Sequence, residues 1–69
     1  MKYFLLEIQS DSGKHFLKTN SSNKETAIEN FCLLYKAPKQ AVKNVYEFAL
    51  MWWDYSPKTM INKNLCTLI

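Results

Sequence analysis

No arginine occurs among the 69 residues, although the net charge is +3 and all nine basic side chains are lysines. Arginine supplies bidentate contacts to phosphate and guanine and stacks on aromatic rings. Sequence-specific nucleic-acid recognition therefore lacks its usual instrument, and only lysine point charges remain for phosphate. A lysine and asparagine bias without arginine is also what an A/T-rich coding genome produces. Glycine occurs once, at Gly13, which excludes a glycine-rich phosphate loop. The single histidine, His15, and the two distant cysteines, Cys32 and Cys66, do not make a standard metal-ligand set. Two cysteines are also too few for a disulfide scaffold.

The same scarcity bears on catalysis. A Cys–His nucleophile needs a third, orienting group, and nothing in the spacing offers one. Cys32, beside Phe31 on a helical stripe, reads as a small core residue. The six carboxylates, Glu7, Asp11, Glu25, Glu29, Glu47 and Asp54, contain no close pair for an acid/base dyad. The expectation is a protein that is not an enzyme, with no catalytic residue, no cofactor and no metal.

Long apolar runs are missing too. None approaches the ~18 residues that span a bilayer, so no membrane association is expected. Lys2 is followed by only Tyr3 to Leu6 before Glu7, which is not a secretory leader. The expected setting is the cytoplasm, with reduced thiols; there the Asn20-Ser21-Ser22 sequon has no meaning. Cys66-Thr67-Leu68-Ile69 has the form of a prenylation box. Stable anchoring wants a second signal, and Lys58 and Lys63 are a thin basic flank. An apolar C-terminal strand carrying a cysteine explains the same four residues.

What is present is apolar and aromatic. At 48% hydrophobic and 22% charged, the chain has a globular profile and forms one domain over residues 1–69. A core of this size supplies only ~3–5 kcal/mol without a partner or a staple. Lys2 to Gln9 alternates, with Phe4, Leu6 and Ile8 on one face and Tyr3, Leu5 and Glu7 on the other. Ser10 to Gly13 then supplies a hairpin turn, and Lys14 to Thr19, carrying Phe16, returns as a weaker edge strand. After a polar loop, Ser22 or Asn23 caps a helix. Its stripe is Ala27, Ile28, Phe31, Leu34 and Tyr35, and Ala37-Pro38 ends it.

The stretch from Val45 to Tyr55 holds half of the ten aromatic residues, and its periodicity fits two templates. β-Branched and aromatic enrichment decides for a third strand from about Asn44 to Trp53, after a short helical turn at Pro38–Ala41. The alternative is a second helix over residues 39–53. In the strand reading Tyr46, Phe48, Leu50 and Trp52 face the helix and complete the core. Beyond Ser56-Pro57, read as a turn, Thr59 to Ile61 and Leu65 to Ile69 read as short strands. The fold class is a small α+β domain: hairpin, one amphipathic helix, third strand, short C-terminal strand.

That strand reading leaves Leu5, Val45, Met51 and Trp53 on an uncovered face. Contiguous apolar surface marks interaction sites, and Trp and Tyr dominate interface energetics. Trp53, Met51 and Tyr55, flanked by Val45 and Leu5, are thus the expected partner-binding residues. Two other arrangements would cover the face: Thr59 to Ile69 folded over it, or a homodimer. The expected partner is a protein, or a second copy. Small size, one glycine and a Lys/Asn bias are shared with compact proteins of low-GC phages, so an inhibitor or modulator of a larger host or defence protein fits. The alternative is a single-stranded nucleic-acid binder, with Lys14, Lys18, Lys36, Lys39 and Lys43 tracking a backbone and Tyr3, Phe16, Trp53 and Tyr55 stacking. A self-assembling structural subunit is a third reading.

Overall fold

In the computed structural model, which describes residues 1–69, the sole glycine closes the first turn. Gly13 has φ +119°, a conformation that side-chain-bearing residues rarely adopt. It joins β1 (Lys2–Ser10) to β2 (Gly13–Ser21). The two strands pair antiparallel along their whole length, from Ser10 opposite Gly13 to Lys2 opposite Ser21. The return strand is thus longer than its alternation suggests, because pairing with β1 carries the polar residues Asn20 and Ser21 along.

Helix α1 (Lys24–Tyr35) follows. Asn23 is its N-cap, its Oδ1 accepting the Thr26 N–H at 2.8 Å. The helix ends where Lys36 turns left-handed at φ 54°, two residues before Pro38. Ala27 and Phe31 bury themselves on Phe4, Leu6, Ile8 and Val45, with Leu17, Ile28 and Cys32 packed beside them. Leu34 departs from the expected stripe: it is 75% exposed, because it falls at the border of the arc by which Ala27, Ile28, Phe31 and Cys32 meet the sheet.

The ambiguous stretch is a strand, but a shorter one than expected. A 3-10 turn at Lys39–Ala41 leads into β3 (Val42–Phe48), which pairs antiparallel with the free edge of β1. It stops at Phe48. The chain then coils into a second 3-10 turn, Leu50–Trp52, and a short helix α2 (Pro57–Asn62). Leu50 therefore projects into solvent instead of joining the core. Thr59 to Ile61, expected as a strand, is helical. Ser56 caps α2 and Pro57 occupies its first turn, where a missing N–H costs nothing. A last strand, β4 (Cys66–Leu68), pairs with β3 and completes the sheet order β2-β1-β3-β4.

Register reverses the expected faces of β3. Leu6 lies opposite Val45 and Leu5 opposite Tyr46, and paired residues share a face. Val45 thus sits under α1, while Tyr46 and Phe48 point away from it. The far face has its own cover. Leu5, Phe48 and Met60 are buried together there, ringed by Tyr3, Phe16, Tyr46, Trp52, Trp53, Ile61 and Leu65. The molecule has three layers: α1, a four-stranded antiparallel sheet, and a C-terminal cover. No helix is long and apolar enough to cross a membrane.

Candidate functional site: a groove at the hairpin end of the helix

The five residues expected to bind a partner are scattered by this architecture. Leu5 is 0% exposed and Val45 is 3% exposed, so neither presents a surface. Trp53 is half-buried, edge-on to Tyr3 at 5.9 Å between ring centroids and tilted on Phe48 at 6.0 Å. It holds the cover to the sheet. Only Met51, 71% exposed, and Tyr55, 39% exposed, reach solvent. With Leu50 they form a small knob at the turn of the cover, Tyr55 standing edge-on to Trp52 at 5.3 Å. Leu5 is interior because Met60, Ile61 and Leu65 fold over its face, and Val45 because α1 covers the opposite one.

The cover is fastened by a lysine. Lys18 of β2 donates from Nζ to the Trp53 carbonyl at 2.6 Å and also to the Tyr55 carbonyl. The Trp53 carbonyl closes the Leu50–Trp52 turn, and the Tyr55 carbonyl directly precedes the Ser56 cap of α2. At the far end of the chain Lys24 Nζ donates to the Ile69 carbonyl at 3.0 Å, and the Ile69 N–H donates to the Val45 carbonyl at 2.9 Å.

Burial leaves a chemical mark on this side of the sheet. The Tyr46 phenol is raised above its ordinary 10.0 by desolvation first, then by the negative charges of Glu7 and Cys66. Burial likewise pushes the Cys66 thiol above 9.0. A group whose folded pKa is raised stabilises fully below its unfolded pKa and ceases to do so as pH rises through the folded value. Thermal stability should therefore fall as pH climbs past 9.0 and then past 10.0. Tyr46→Phe should flatten the upper part of that decline; melting temperatures across the alkaline range check this.

The largest concavity lies elsewhere. An open groove of ≈ 630 Å³ runs between the hairpin tip and the C-terminal end of α1. Ile8, Leu17, Phe31 and Ala41 give it an apolar lining, and Asp11, His15 and Lys36 add charge and polarity. Tyr35 stands at its side, its ring tilted 35° to that of Phe31 with centroids 5.2 Å apart. Its two helical predecessors, Leu33 and Leu34, are 79% and 75% exposed. The hydroxyls and imidazole at the tip are engaged with one another. Ser12 Oγ meets His15 Nε2 at 2.9 Å and Ser10 Oγ at 2.9 Å. No carboxylate hydrogen-bonds the other ring nitrogen of His15, and no three metal-binding side chains converge.

Sequence reading missed this groove because its residues come from five separate stretches. One signal was available. The stripe of α1 runs to Tyr35, a full turn beyond Phe31, although the hairpin turn marks the end of the sheet beneath. Comparison of the chain with protein-family models, curated proteins and solved structures gives no match.

Proposed function

We infer that this is a small non-catalytic binding module that acts by occupying a surface of a larger protein, as an inhibitor or modulator would. The observation that carries the reading is the exposed Tyr35 at the end of α1, on the wall of an open groove with an apolar lining. An exposed aromatic at the rim of an apolar concavity is a common form of protein-docking site. The partner lays an apolar side chain between Phe31, Leu17 and Ile8, with Tyr35 as the anchor on this side. Ser10, Ser12 and His15, tied to each other in the hairpin, serve to shape the groove wall.

A peptide-display library panned on the immobilised protein tests this. Selected peptides should carry an aromatic or large aliphatic residue, and Tyr35→Lys should weaken them ~10-fold or more, the scale of an aromatic anchor. Circular dichroism would verify that the variant remains folded. Selected peptides indifferent to Tyr35→Lys would remove the groove from the reading. Salt-sensitive binding of an oligothymidylate, equal in wild type and variant, would instead favour a single-stranded nucleic-acid ligand.

A further inference from the structure

We propose that β2 pairs antiparallel with β2 of a second copy, joining two four-stranded sheets into one of eight strands. This goes beyond the groove reading and does not depend on it. β2 is the outer strand of the sheet, and its far edge carries unpaired backbone N–H and C=O groups along nine residues. Proteins usually guard such an edge with proline, a bulge or outward lysines. β2 contains no proline, and its pairing with β1 runs without a register shift. Of its two lysines, one is withdrawn from the edge and the other is only loosely paired. Lys18 turns onto the Trp53 and Tyr55 carbonyls, and Lys14 lies 3.8 Å from Glu7. The edge is therefore long and unbroken by a bulge, and its one remaining charge is Lys14, 56% exposed near the hairpin end.

Self-pairing fits this strand better than pairing with a stranger. Full overlap of Gly13–Ser21 with its copy sets Leu17 opposite Leu17, on a two-fold axis. Phe16 then faces Lys18 of the second copy, Lys14 faces Asn20, and His15 faces Thr19. No lysine opposes a lysine, so the like-charge penalty of cross-strand pairs is absent. α1 packs over β1, with Val45 of β3 to one side and Leu17 of β2 to the other. Ile28 leans towards Val42 and Val45 of β3. The helical repeat then places Leu34 on the opposite flank, above the β2 edge. Leu34 is exposed in the single chain and would be covered in the pair.

Sedimentation velocity from ~1 µM to ~1 mM tests the proposal, since a self-associating chain gains mass with concentration. The weight-average mass should rise from 8.1 kDa towards twice that value. Amide hydrogen exchange at the high concentration should slow at alternate residues of β2 and remain unchanged in β4. Leu34→Glu, a change at an exposed position, should weaken the association ~10-fold or more by setting two carboxylates near each other. A mass of 8.1 kDa at every concentration would overturn the proposal. So would a dimer whose new protection lies outside β2, or one that forms as tightly with Leu34→Glu.

Discussion

Met60→Ala should lower the unfolding free energy by about 2–5 kcal/mol, the cost of removing a large buried side chain whose cavity only partly collapses. Met60 is 0% exposed and is the one residue of α2 that is buried outright. It is set against Leu5 and Phe48 at the centre of the second core. That core has few other members. α2 is six residues long, too short to persist without the packing that holds it. A chain of this size has a margin of only ~3–5 kcal/mol from a single core, so the substitution should leave a substantial unfolded fraction at room temperature. Met60→Leu conserves volume closely and should cost under ~1.5 kcal/mol. Urea unfolding followed by tryptophan fluorescence reports the site, because Trp52 and Trp53 pack against the same cluster. Equal midpoints for Met60→Ala and wild type would mean that the cover contributes nothing to stability.

That dependence on Met60 explains why the fold class was legible and the binding face was not. The hairpin is written locally: Phe4, Leu6 and Ile8 alternate, and the only glycine stands where φ is positive. The helix is equally local, with Asn23 as its cap and Pro38 just beyond its end. The face of β3 that meets α1 is a long-range fact, set by Leu6 pairing with Val45 across 39 positions of sequence. Alternation separates two faces without saying which one the helix covers. Likewise, a one-layer picture made Leu5 and Trp53 spare. Ser56-Pro57 reads equally well as a turn or as a helix start, and only the helix brings Met60 onto Leu5. The groove is less legible still, since Tyr35 differs from a core aromatic only in where the sheet beneath it ends.

Lys18→Met is the second large effect, expected at about 1.5–3 kcal/mol, the range for hydrogen bonds made by a charged group. The aliphatic stem is retained, so the loss isolates the ammonium and its bonds to the Trp53 and Tyr55 carbonyls. Those carbonyls sit between the second 3-10 turn and α2, and Lys18 joins them to β2 on the other side of the sheet's central strands. Without the ammonium the turn is tied only by its own backbone bonds, such as the Tyr55 N–H to the Trp52 carbonyl at 3.0 Å. Hydrogen exchange should then quicken first around Trp53 to Tyr55, ahead of β1. Lys18→Arg should recover little, because a planar fork matched to carboxylates replaces a compact ammonium that reaches two carbonyls on one turn. The same variant bears on the edge of β2. If Lys18 stabilises the cover by leaving the edge, Lys18→Met lowers stability without adding charge to that edge. Self-association, compared at a temperature where the variant is folded, should then be maintained. A loss of stability with exchange unchanged around Trp53 to Tyr55 would show that Lys18 acts through something other than these two carbonyls.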